Sequence, residues 1–501
     1  MRPGRRRWLA VAAILLAGCS SSSSVPNGLP STLPAYYAQH LAWQPCDNGF
    51  QCARLLVPFD YAHPGGRRFS LPVIRLPAAD PAERVGDLVI NPGGPGGSGV
   101  QYALGAHGEF PSAVLARFDI VGFDPRGVAG SEPALSCMTG PELDTYLSTD
   151  EMPDNAAQLG TLVQQGKFYA SRCEQNSRPL LPYVGTQNAA RDLDMLRAAL
   201  GQSRLTYLGK SYGTYLGTWY AQLFPHRVRA LVLDGAVNPD TTALQADITQ
   251  AEGFQAAFGS FAAWCLAGSG CPLGQNAAAQ LQALIVRANS RPLSLELGTG
   301  QVASGALLLN GVAAALYSKS TWPDLKDGLT NAFNGDGTVL VQLANLLLER
   351  NPDGTYANLV DADTAISCVD RPWPRSLTAW QAAASAAGRA APLFGASIVW
   401  GNLPCAYWPV PAAPLPKIKA GGAPTILVVG TTRDPATPYR SAQALAADLS
   451  SGVLLGWNGD GHTAYGEGSA CVDTIVNAYL ISLKVPRSGI VCPSAPPSSG
   501  R

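Results

Sequence analysis

Charge is scarce in this chain. Acidic and basic residues together make up 14% of its 501 residues, 35 of each sign, so the formal net charge is zero. No basic stripe runs along it, which argues against a nucleic-acid partner held by its phosphates. With 47% apolar residues, so little charge means a sizeable core rather than a disordered chain. Histidine is scarcer still. The five, His40, His63, His107, His226 and His462, do not cluster, and the cysteines lack paired C-x-x-C spacing. A zinc site has no ligand set here, and no metal or organic cofactor is expected. A phosphate loop is missing too, because the glycine run from Asn91 to Gly99 does not end in Gly-Lys-Ser or Gly-Lys-Thr. Pro95 interrupts the glycine spacing of a dinucleotide fingerprint and removes a donor.

What is present begins at the N-terminus. Arg2, Arg5, Arg6 and Arg7 precede an apolar run from Trp8 to Ala17 that is too short to span a bilayer. This is the layout of a secretory signal. Its end, Leu16-Ala17-Gly18-Cys19, resembles a bacterial lipobox, in which the cysteine becomes the lipidated first residue. An ordinary signal peptide with a chance cysteine is the alternative. The expectation is a signal over 1–18 and export with a lipid anchor in the cell membrane at Cys19. A Ser-, Pro- and Gly-rich flexible tether should follow over 19–40. Setting Cys19 aside leaves ten cysteines, an even number suited to an oxidising compartment. Ten allow about 945 pairings. The shortest loops give Cys46–Cys52, Cys137–Cys173, Cys265–Cys271, Cys368–Cys405 and Cys471–Cys492.

The middle of the chain holds its most informative stretch. Leu205 to Leu208 is short, apolar and β-prone, and Tyr212 to Phe224 reads as a helix closed by Pro225. Gly209-Lys210-Ser211-Tyr212-Gly213 lies between them. Strand, sharp turn and helix around Gly-x-Ser-x-Gly make a nucleophile elbow. The pattern alone could be a plain glycine-rich turn, so its surroundings decide. Asp87 to Ile90 is a buried strand running into the glycine loop at Pro92-Gly93-Gly94-Pro95. Bare amides there suit an oxyanion hole. Gly93 and Gly94 are the candidate donors, with Tyr212 N–H as the second. Phe118 to Phe123 is the next strand, followed by Asp124 and Arg126, read as a structural ion pair or as turn-capping residues. Arg229 to Leu233 and Thr425 to Gly430 are further strands. Asp434 follows the latter, with Thr437 and Pro438 read as the N-cap and first residue of the next helix. Val453 to Trp457 leads to His462 in a glycine-flanked loop. Only His462 follows both Ser211 and Asp434, as the order serine, acid, histidine requires.

Alternating strands and helices imply an α/β chain with a mostly parallel sheet. From 240 to 405 the pattern turns to Ala-rich, helix-period segments, read as a helical cap inserted between core parts 41–239 and 406–492. Residues 493–501 form a tail.

These residues together resemble a family. Pro92-Gly93-Gly94-Pro95-Gly96, the Ser211 elbow, Asp434-Pro435-Ala436-Thr437-Pro438 and Gly461-His462-Thr463 resemble the α/β-hydrolase serine peptidases. Within them the chain looks like the secreted tripeptidyl aminopeptidases, relatives of the prolyl iminopeptidases. The resemblance spans Leu41 to Cys492 and departs at Pro92, where prolyl iminopeptidases carry histidine. It implies an α/β-hydrolase fold, a Ser211–His462–Asp434 triad, and release of short peptides, tripeptides included, from free N-termini. Peptides or proteins would be the substrates. The motifs alone imply serine hydrolysis. An aminopeptidase also needs an acid for the substrate ammonium, and Glu252 and Asp370 are the candidates. A carboxylesterase or lipase with the same triad is the alternative. An inactive surface-binding lipoprotein on the same fold is a third reading.

Overall fold

The strands that lead into the glycine loop and the serine turn, Gly86–Asn91 and Leu205–Lys210, are buried along their whole length. In this computed structural model, residues 29–297, 300–415 and 417–494 are described. The signal expected over 1–18, Cys19 and residues 495–501 lie outside them. Ten strands form one sheet: β1 Gln44–Pro45, β2 Gln51–Pro58, β3 Arg68–Leu76, β4 Gly86–Asn91, β5 Phe118–Phe123, β6 Leu205–Lys210, β7 Val228–Asp234, β8 Ile426–Arg433, β9 Gly452–Asp460 and β10 Ile490–Cys492. Their order is β1-β2-β3-β5-β4-β6-β7-β8-β9-β10. The pairs among β1, β2, β3 and β5 are antiparallel, and all others are parallel.

Successive side chains of a strand point to opposite faces. Leu88, Ile90, Leu208, Val232, Leu427 and Val429 enter the core on one face. Val89, Tyr207, Leu231, Leu233 and Val428 enter the core on the other. Both faces are covered by helices, so these strands read as continuous apolar runs rather than alternating ones. β10 is an addition to the strands read from sequence. It is too short to show a period, and Cys471–Cys492 ties it to the helix Ala470–Ser482. All five cysteine pairs are the short-loop pairs expected.

Between β7 and β8 the described chain is almost wholly helical and has a core of its own, built from Phe254, Phe258, Phe261, Leu308, Val312 and Leu340 among others. A further apolar cluster joins this region to the connection between β5 and β6. There Leu162, from the helix Ala156–Ser177, packs with Trp380, Val399 and Trp400. The helical layer over the sheet thus draws on two separate stretches of sequence.

Three local readings change. Residues 33–39 are fastened rather than free. Leu33–Tyr37 is a short helix, Tyr36 is fully buried, and Tyr37 donates to Asp194 at 2.6 Å. Two tyrosines in six residues supply apolar area that a tether composition hides. Pro438, not Thr437, caps the helix Tyr439–Asp448, because Thr437 turns back to Asp434. Asp124 and Arg126 are structural, as read, but do not pair with each other. Asp124 accepts from Ser98 Oγ at 2.6 Å and from the amides of Val100 and Gly130. Arg126, fully buried, forks onto Asp192 and donates to the carbonyls of Pro58, Phe59 and Tyr183.

Candidate active site

Ser211 sits between β6 and the helix Tyr212–Leu223 with φ +56° and ψ −126°. A non-glycine residue held there stores strain, and the neighbours show what holds it. A Cβ on Gly209 would lie 2.3 Å from the Gly213 carbonyl oxygen, and one on Gly213 would lie 2.8 Å from that of Asn91. Both flanking glycines are therefore required by contact. The Ser211 amide donates to the Asp234 carbonyl at 2.9 Å, and Thr214 Oγ1 donates to the Ser211 carbonyl at 2.6 Å.

The glycine loop after β4 abuts this turn. A Cβ on Gly93 would meet Lys210 O at 2.7 Å and Ser211 Cβ at 2.8 Å, at a φ of +99°. The Gly93 amide is already used, donating to Asn91 Oδ1 at 3.1 Å. No described residue accepts the amides of Gly94 or Tyr212. Gly94, Ser211 and Tyr212 line one cavity. Of the three candidate donors, Gly94 and Tyr212 are open and Gly93 is engaged.

Asp434 follows β8 and is 1% exposed. Its carboxylate accepts from the amides of Ala436 and Thr437 at 2.9 and 2.8 Å, and from the Thr463 amide at 3.2 Å. Thr437 Oγ1 adds a fourth donor at 3.1 Å. Donors on every side suit an ionised carboxylate, which only accepts. His462 Nδ1, at 2.9 and 3.1 Å from its two oxygens, therefore carries the proton. That leaves Nε2 as the basic atom. Nε2 is buried and without a hydrogen-bond partner among the described residues. In unliganded hydrolases the nucleophile–base bond often tightens only with substrate.

Asp234, at the end of β7, links the two loops. Its carboxylate accepts from the amides of Ala464 and Tyr465, at 3.0 and 2.8 Å, just past His462. Lys210 Nζ lies 3.5 Å from both Glu109 and Glu467. Burial would lower the Lys210 ammonium, but Tyr102, Asp234, Glu467 and Glu109 hold it above the ordinary lysine range.

The cavity at Ser211 holds about 690 Å³. Four carboxyls line it: Glu151, Asp247, Asp363 and Asp370. Burial pushes all four up, Glu151 and Asp363 to about 7 and Asp370 to about 6. Asp363 and Asp370 stand seven residues apart on the helix Leu359–Asp370, on one face of it. Asp370 is engaged by the Thr186 amide at 2.7 Å and by Thr186 Oγ1, which also meets the Tyr212 hydroxyl. Asp363 accepts no hydrogen bond from any described residue, and burial alone shifts it. Glu252 does not line the cavity. It is ion-paired with Arg440 at the surface, because five residues along a helix of about 3.6 per turn place it on a different side of Ala243–Ala267 from Asp247. Sequence reasoning missed Glu151 and Asp247. The i, i+7 spacing of Asp363 to Asp370 was the one local signal for Asp363.

A family model described as alpha/beta hydrolase fold matches residues 88–469. Serine protease Hip1 of Mycobacterium tuberculosis is 39% identical over 97% of each chain. Carboxylesterase B of the same organism is 40% identical over 88% of this chain and 86% of its own. Tripeptidyl aminopeptidase of Streptomyces lividans is 35% identical over 89% of this chain and 84% of its own. Together with the elbow, the acid–histidine pair and the mostly parallel sheet of this chain, these likenesses settle the kind of enzyme: the chain belongs to the α/β-hydrolase fold family and is a serine hydrolase.

Proposed function

We propose that the chain is an exported, lipid-anchored serine aminopeptidase that releases short peptides, tripeptides among them, from free N-termini. Ser211 Oγ attacks the scissile carbonyl, and His462 Nε2 takes its proton and returns it to the leaving amine. Asp434 holds the imidazole tautomer and stabilises the imidazolium. The amides of Gly94 and Tyr212 receive the oxyanion, each such donor being typically worth ~3 kcal/mol. Water then frees the acyl-enzyme.

The observation that carries the exopeptidase reading is Asp363, a half-buried carboxyl on the wall of the cavity that reaches Ser211, with no partner among the described residues. A substrate ammonium would supply the missing charge. Acetylating the N-terminus of a tripeptide substrate should lower kcat/KM by about 100-fold or more. Equal rates on free and acetylated peptides would leave a general serine hydrolase. A carboxylesterase is the second reading, supported by the mycobacterial relative of that name. Short-chain esters assayed beside the peptides separate the two. Labelling by a fluorophosphonate probe separates both from an inactive binding protein.

Five disulfides fit an oxidising compartment, and the Leu16–Cys19 motif supports the anchor. Cys19→Ser should release the protein from membranes or leave it unprocessed.

A further inference from the structure

We infer that the cavity contains a second cation subsite, formed by Asp247 and Glu151 on the wall made by residues 395–402, which takes a basic side chain of the peptide substrate. The inference rests on the aminopeptidase reading for the kind of substrate, and on separate atoms for the subsite.

Asp247 comes from the helix Ala243–Ala267 and is 7% exposed. Asn402 Nδ2 donates to its Oδ1 at 3.2 Å, while Oδ2 is buried without a partner among the described residues. Glu151 comes from the connection between β5 and β6 and accepts from Ser397 Oγ at 2.5 Å. Ser397 and Asn402 stand on and just after the helix Gly395–Gly401, so both acids are hung on one wall. Both line the cavity.

Charge balance points to the occupant. The cavity is lined by four carboxyls and by two cations, Arg371 and Arg440. Arg440 is taken by Glu252. Arg371 lies over the Tyr215 ring, donates to the Asn238 carbonyl, and faces both Asp370 and Asp247. One substrate ammonium answers Asp363, and Arg371 is shared between Asp370 and Asp247, so the wall of Asp247 and Glu151 stays short of positive charge. A buried carboxylate oxygen without a partner is costly, and a charged donor that reaches it binds strongly. Among the described residues no group of three or more His, Cys, Asp or Glu could hold a metal ion. A lysine ammonium or arginine guanidinium, several donors on a long apolar stem, suits a cavity with acids set into apolar walls.

The test uses the mature protein and free-amine tripeptide anilides carrying lysine or its neutral counterpart norleucine at each position in turn, beside their N-acetyl forms. Lysine should exceed norleucine in kcat/KM by about 10-fold or more at one position or more. Asp247→Asn and Glu151→Gln should shrink that ratio and keep the preference for free over acetylated peptides. Lysine and norleucine performing alike at all three positions would overturn the subsite, and this comparison needs no variant. If free-amine preference persists alongside such equality, the aminopeptidase reading survives alone. If Asp247→Asn instead abolishes the free-amine preference, the wall binds the N-terminus and the inference fails. If acetylation has no effect while lysine is preferred, the exopeptidase reading fails and the subsite stands.

Discussion

The Tyr317 carbonyl accepts the His462 amide at 2.7 Å, and the Tyr317 ring meets the imidazole edge-on with centroids 5.1 Å apart. Tyr317 ends a helix of the inserted region and also lines the cavity. An antiparallel bridge between Ser318 and Gly461 completes the seam. The insertion is thus joined to the histidine loop by main-chain bonds, and the residue that walls the substrate also walls the base.

Removing that ring should loosen the imidazole without touching its bond to Asp434. Tyr317→Ala should lower kcat about 5-fold, in line with ~1 kcal/mol for a lost edge-on aromatic contact. Tyr317→Phe should restore it, since neither contact uses the hydroxyl. Steady-state kinetics on one substrate measure both, and a Phe variant as impaired as the Ala variant would remove the ring from the account.

Ser211→Ala should leave a folded protein with activity down by at least ~1,000-fold, the remainder coming from binding and the open amides. Near-normal hydrolysis by the purified variant would exclude Ser211 as nucleophile.

Asp234 braces both loops, through its carbonyl at Ser211 and its carboxylate at Ala464 and Tyr465. Asp234→Ala strands two buried amides and weakens the compensation of Lys210. A loss of about 2–4 kcal/mol in urea unfolding is expected. Asp234→Asn keeps one acceptor and should lose less. Both variants as stable as the parent would show that the carboxylate bonds carry no weight.

Glu151 gives a pH dependence with a definite sign. Burial raises its carboxyl from 4.5 to about 7, so the folded state binds the proton more tightly than the unfolded one. Stability is lost as pH rises between those values, by at most about 3 kcal/mol. Glu151→Gln should match the parent at pH 4 and exceed it at pH 8. Thermal melts at the two values measure this, and a variant less stable at pH 8 would reverse the assignment.

Sequence alone determined what local chemistry dictates. A turn as tight as that at Ser211 admits only glycine at positions 209 and 213. Parallel strands covered on both faces must be apolar throughout, and the order of Ser211, Asp434 and His462 left one histidine eligible. Cysteines six residues apart, as in Cys46–Cys52 and Cys265–Cys271, had little chain to separate them. Tertiary structure decided what depends on surroundings. Glu252 and Asp247 occupy one helix and differ in the direction each faces, which an Ala-rich sequence with weak amphipathic contrast does not disclose. Glu151 reaches the cavity from a connection far away in the chain, through packing of Leu162 against Trp380 and Val399. The choice between Gly93 and Gly94 turned on a single bond to the Asn91 side chain. Burial and hydrogen-bond partnership are properties of an environment, and distant segments supply that environment only after the chain has folded.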